Sequence, residues 1–122
     1  MTHEAIISLG SNTDKKNLEL AKNLLAETFQ LLSQSEIIES NAIGDHYQSP
    51  FYNQAIKLLS GYERDKTIHI FKETEIKLGR TPQSKYKGIV LMDIDLIIWE
   101  GDVYKDDYYR FDFVRKCVDE IK

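Results

Sequence analysis

Cysteine is nearly missing from this chain: Cys117 is the single one in 122 residues. No internal disulfide can form, and a reducing, cytoplasmic setting is expected. Neither a histidine nor a Gly-rich nucleophile motif surrounds Cys117 in the sequence, which argues against a reactive thiol. His3, His46 and His69 have no metal-ligand spacing and read as ordinary surface residues. No apolar run is long enough to span a bilayer, and the N-terminal apolar stretch is too short for a signal peptide. Basic charge is not in excess either. The formal net charge of −4 disfavours nucleic acid or an anionic membrane as partner. Repeats, low-complexity tracts and linkers are also lacking, so one domain over residues 1–122 with a modest core is expected.

What is present centres on Val90 to Trp99, a run of β-formers without Gly or Pro that reads as a buried strand. Alternation puts Asp93 and Asp95 on one face with Leu91, Ile97 and Trp99. Met92, Ile94, Leu96 and Ile98 then form a wholly apolar opposite face. Two adjacent carboxylates repel each other and resist desolvation, which a cation between them relieves. Hard oxygen ligands on a rigid strand suit Mg²⁺. The competing reading is a pair of solvated aspartates on a half-exposed sheet.

Ahead of that strand, Ala5 to Leu9 predicts a first strand, broken by Gly10-Ser11-Asn12. Thr13 or Asp14 can cap a helix over residues 14–33, in which Leu18, Ala21, Leu25, Phe29 and Leu32 recur at helical spacing. A second strand is expected around Ile37 to Ser40, a polar loop from Asn41 to Pro50, and a third strand over Phe51 to Leu59. A second helix starts at Asp65 or Thr67, places Ile68, Phe71, Glu75 and Leu78 on one face, and stops at Gly79. A polar, basic loop leads from Arg80 to Gly88, and Asp107 to Lys122 has helical spacing. The order strand, helix, strand, strand, helix, strand is the ferredoxin-like βαββαβ plan: an α+β fold with four antiparallel strands and helices on one face, here with a short C-terminal helix added. The aspartates would then lie on the uncovered face.

With these pieces in place the chain resembles the pterin pyrophosphokinase family of folate biosynthesis (6-hydroxymethyl-7,8-dihydropterin pyrophosphokinase). The matching pieces are Leu9-Gly10-Ser11-Asn12, Phe51-Tyr52-Asn53, Glu75 with Gly79-Arg80, and Asp93-Ile94-Asp95-Leu96, in order and over roughly residues 5 to 103. The resemblance implies Mg²⁺-dependent transfer of an intact pyrophosphoryl group from ATP to the hydroxymethyl group of the pterin, giving AMP. It implies two Mg²⁺ ions on Asp93 and Asp95, with Arg80 joining them in catalysis as a cationic fork on phosphate. Nucleotide contacts are implied for Glu75, Arg80, Lys85, Lys87 and Leu96. For the pterin the resemblance implies Asn53 on its polar edge, Phe51 beside it, Ile43 in the pocket wall and Phe113 as a second stacking aromatic. The expected partners are these two small molecules, with no nucleic acid, no membrane and a monomeric chain.

Departures from the family stand out. Lys87-Gly88-Ile89-Val90-Leu91 occupies the place of the usual Trp-Gly-Pro-Arg-Thr, so the tryptophan and a phosphate-binding arginine are gone. The Pro-His segment after the aspartate strand is absent, and the C-terminal region is short. An alternative is therefore a catalytically impaired relative that binds nucleotide or pterin without turnover. A single-stranded RNA-binding module shares the ferredoxin-like plan but lacks its Lys/Arg-Gly-Phe/Tyr signature here.

Overall fold

In the computed structural model, residues 1–40, 50–81 and 90–122 are described. Their order is β1 (His3–Ser11), α1 (Lys16–Leu25), β2 (Gln30–Gln34), β3 (Ile38–Ser40), β4 (Phe51–Ser60), α2 (Arg64–Lys77), β5 (Asp93–Trp99), β6 (Asp102–Val103), α3 (Asp107–Arg110) and α4 (Asp112–Ile121). Lateral order in the antiparallel sheet is β2-β4-β1-β5-β6, with β3 also paired to β4. The central order β2-β4-β1-β5 is the ferredoxin-like arrangement: β1 and β2 flank β4, and β5 lies on the far side of β1. Six strands are seen among the described residues rather than four. The expected second strand is two short ones, β2 and β3, and β6 adds a hairpin beyond β5.

The first helix is shorter than its periodicity predicts. Asp14 accepts a hydrogen bond from the Lys16 amide (2.8 Å), and the helix ends at Leu25. Phe29, at the predicted spacing, packs from the following turn onto Phe71 of α2 with ring centroids 5.4 Å apart. Leu32 lies in β2 and is 43% exposed. Apolar spacing thus continues past the helix because Phe29 covers the same core from the turn, while Leu32 keeps the spacing without entering the core.

Two apolar clusters flank the sheet. Leu18, Ala21 and Leu25 of α1 and Phe71 of α2 pack with Ile7, Leu9, Ile56, Leu58, Met92, Ile94 and Leu96 on one face. On the other, Val114, Cys117 and Val118 of α4 and Tyr108 of α3 cover Ile6, Ala55, Ile97 and Ile98. The four-stranded plan implies an open second face; instead α4 covers its apolar end. A register shift opposite Ile6 and Ile7 makes a bulge in β5, so Ile6 faces Ile98 while Ile7 faces Leu96. Alternation breaks there. Ile98 joins the α4 side and Trp99 packs on the α1/α2 side, the reverse of the simple strand reading. Among the described residues no helix is long and apolar enough to cross a membrane.

Candidate active site

Polar residues line up across three strands on the second face. Gly10 of β1 stands between Asn53 of β4 and Asp93 of β5; two residues along, Ser8 stands between Ala55 and Asp95. Because Gly10 has no side chain, the space between the amide and the first carboxylate stays clear. A Cβ there would lie 3.5 Å from Asn53 Oδ1. Ser8, Gly10, Asn53, Asp93 and Asp95 floor a cleft of about 250 Å³, walled by Phe51, Val90, Asp107, Phe111, Phe113 and Val114.

Hydrogen bonds fix the orientation of Asn53. Its Nδ2 donates to Ser40 Oγ (2.8 Å) and lies 3.3 Å from the carbonyls of Ile38 and Phe51, which leaves Oδ1 directed toward Gly10. The β3–β4 pairing supplies those acceptors, with Ile38 opposite Asn53 and Ser40 opposite Phe51. Phe111 and Phe113 stack on each other at 5.4 Å and 26°. At the cleft's end Asn12 clamps the entry to β5: its amide donates to Val90 O (2.9 Å) and its Oδ1 accepts from Val90 N (2.7 Å).

Where β6 does not reach, β5 is an edge strand, and α2 covers that edge with charge. Glu75, 3% exposed, accepts the Ile94 N–H at 2.7 Å, and Lys72 Nζ donates to Ile94 O at 3.0 Å. The outward-facing N–H and C=O of Ile94 on that edge are thereby satisfied. From this edge both cations reach the carboxylates. Arg80 bonds Glu75 (3.0 Å) and Asp93, while Lys72 is 3.2 Å from Glu75 and 3.5 Å from Asp95. Arg80 is aimed by the turn that ends α2. Gly79 has φ of 103°, its amide bonds Ile76 O (3.0 Å), and the Arg80 amide bonds Glu75 O (3.1 Å). A third cation, Lys105, arrives from the connection after β6 and donates to Asp95 Oδ1 at 2.9 Å.

Burial pushes the Asp93 carboxyl above its usual value, and Asp95 alongside adds to the rise while Arg80 opposes it. Burial likewise raises Glu75, against the hydrogen bond from Ile94 and the nearby cations. For Arg80 and Lys105 burial works downward, but the surrounding carboxylates outweigh it and raise both. Two hard carboxylates on one rigid strand, lining an open cleft, suit Mg²⁺. Among the described residues no group of three or more His, Cys, Asp or Glu converges on one point. The pair on β5 is thus what this site, among the described residues, offers an ion.

Of the residues singled out by sequence, Phe51, Asn53, Asp93, Asp95 and Phe113 share the cleft, and Arg80 touches Asp93. Glu75 sits beneath, holding Arg80, Lys72 and Ile94. Leu96 does not reach the cleft; it is 4% exposed in the α1/α2-side core, so its side chain is not available to a nucleotide. Ile43, Lys85 and Lys87 lie outside the described residues. Sequence reasoning missed Lys72, Lys105, Asp107 and Ser8. Lys72 precedes Glu75 by three residues, a helical pairing legible in principle, whereas Lys105 depends on the β5 bulge. At the place of the missing arginine, Val90 forms a cleft wall. The model of the 7,8-dihydro-6-hydroxymethylpterin-pyrophosphokinase (HPPK) family matches residues 6–122, so the likeness runs on through the C-terminal helices, and the chain belongs to that family.

Proposed function

We propose that the cleft transfers the terminal pyrophosphoryl group of ATP to the hydroxymethyl group of 6-hydroxymethyl-7,8-dihydropterin, with two Mg²⁺ ions held by Asp93 and Asp95. Pyrophosphokinase chemistry in folate biosynthesis is the activity of the family. The observation that carries the assignment is the row Asn53, Gly10, Asp93. Its outer members are two strand spacings, about 10 Å, apart. A flat heterocycle held at Asn53 would direct an exocyclic arm along the empty Gly10 position toward the carboxylates.

Asn53 Oδ1 would accept from the pterin's N–H edge, and Phe51 with Phe111 or Phe113 would cover its faces. The hydroxymethyl oxygen attacks the β-phosphorus, and the bond from that phosphorus to the α–β bridging oxygen breaks. AMP departs, and the hydroxyl proton is lost to water. Bound Mg²⁺ would neutralise phosphate oxygens and ease ionisation of the attacking hydroxyl. Arg80 contributes a fixed fork for phosphate, kept in place by buried Glu75. Lys72 adds charge from the same helix.

Chromatographic detection of AMP tests this reading. Wild type is expected to form AMP only with ATP, Mg²⁺ and the pterin together. Asp95→Ala is expected to lower turnover at least a thousandfold while circular dichroism stays unchanged, since it removes a ligand without touching the core. No AMP above background from the wild type would overturn it. The second reading, binding without turnover, is supported by Val90 standing where a phosphate-binding arginine is usual; calorimetric binding of nucleotide or pterin without AMP would establish it.

A further inference from the structure

We propose that Lys105 is a tethered counter-ion: it holds Asp95 while the metal is away, is displaced when Mg²⁺ enters, and then pairs with phosphate oxygens of the nucleotide. The inference rests on the reading of Asp93 and Asp95 as metal ligands.

Its root is fixed to the strand that carries Asp95. The bulged Ile97 offers its carbonyl to the Tyr104 amide (2.7 Å) and the Lys105 amide (3.3 Å), which sets the side chain over the acids. Its head is differently placed. Among the described residues Lys105 Nζ meets carboxylates alone: it donates to Asp95 Oδ1 at 2.9 Å and lies 3.8 Å from Asp107 Oδ2, and the side chain is 41% exposed. The other two cations are held more firmly. Arg80 spans buried Glu75 and Asp93, and Lys72 is fastened to the Ile94 carbonyl and Glu75. Of the three, Lys105 can leave at least cost, because its ammonium is partly exposed and, among the described residues, is not anchored to a backbone carbonyl or to buried Glu75.

Departure follows from simple electrostatics. Mg²⁺ coordinates carboxylate oxygen at about 2.1 Å. An ammonium on the same Asp95 oxygen would be repelled by the double charge beside it. Tethered at Ile97, it stays within a side chain's reach of that position. A metal-bound triphosphate brings anionic oxygens into the same neighbourhood, and a compact ammonium on a four-carbon stem can follow them. Lys105 would thus compete with the bare ion and assist the nucleotide-bound one.

Those two roles have opposite signs, which a merely structural residue would not show. The test uses Lys105→Met, Lys105→Gln and Lys105→Arg, with Mn²⁺ alone titrated by electron paramagnetic resonance and KM for ATP measured by AMP formation. Methionine and glutamine are expected to tighten the Mn²⁺ dissociation constant about fivefold and raise KM for ATP about tenfold. Arginine, keeping the charge, is expected to restore both most of the way. Unchanged or weakened Mn²⁺ binding in both neutral variants, in an active wild-type background, overturns the inference and leaves the assigned reaction standing. A wild type that neither binds Mn²⁺ nor forms AMP overturns both.

Discussion

Glu75→Ala probes the frame of the site. Glu75 is buried, accepts the Ile94 N–H at 2.7 Å, and holds Arg80 at 3.0 Å and Lys72 at 3.2 Å. Alanine would leave the Ile94 N–H without an acceptor beneath α2, a cost of about 1–3 kcal/mol. Each cation keeps a second partner, Asp93 for Arg80 and the Ile94 carbonyl for Lys72, so their loss adds about 1 kcal/mol or less. The total, roughly 1–4 kcal/mol, corresponds at about 4 °C per kcal/mol to a Tm lower by about 4–16 °C. Glu75→Gln retains an acceptor for Ile94 and should cost only about 4 °C. The pH dependence has a definite sign. Burial raises the Glu75 pKa above 4.5, so its native carboxyl binds protons more tightly than the unfolded one. Its contribution is fully present below 4.5 and is lost as pH rises through the native value. The advantage of wild type over Glu75→Gln should therefore narrow from acidic to neutral pH. Thermal denaturation followed by circular dichroism measures both effects. An alanine variant within about 3 °C of wild type, or a glutamine variant equally destabilised, would refute the reasoning.

Gly10→Ala separates ligand space from stability. The added methyl meets Asn53 Oδ1 at an ordinary 3.5 Å, so Tm should stay within about 3 °C, while calorimetric affinity for the pterin falls about tenfold. Gly79→Ala acts on the helix end. Its φ of 103° and a Cβ only 3.0 Å from Leu91 Cδ1 make alanine strained, by about 1–2 kcal/mol, or about 4–8 °C in Tm. Because that turn aims Arg80, KM for ATP should rise in the same variant; an unchanged KM would disconnect the turn from the phosphate site.

Patterns confined to one element were legible in the sequence, and those created between elements were not. β4, α2 and its Gly79 stop lie close to where apolar spacing and glycine placed them. The overlong first helix has a physical cause. Ala26-Glu27-Thr28 contains no Gly or Pro to mark the stop, and Phe29 keeps helical spacing although it reaches Phe71 from a turn. Asp93 and Asp95 were legible because period-two alternation holds through Leu96. Beyond it the Ile97 bulge reverses the faces without any local signature in the residues. Lys72 and Lys105 escaped notice because their convergence depends on an exposed strand edge and on that bulge. Phe113 was singled out, yet its stack with Phe111 and the cover that α4 gives the sheet depend on how the C-terminal helices dock.

The central claim is that Asp93 and Asp95 anchor the metal and nucleotide beside a pterin held at Asn53. Anomalous diffraction from crystals grown with Mn²⁺, an α,β-methylene ATP analogue and the pterin tests it most directly. The account predicts Mn²⁺ bound by both carboxylates and by phosphate, with the heterocycle against Asn53 and Phe51 and Lys105 turned from Asp95 to phosphate. Mn²⁺ bound away from this pair, or a pterin seated outside the cleft, would contradict it.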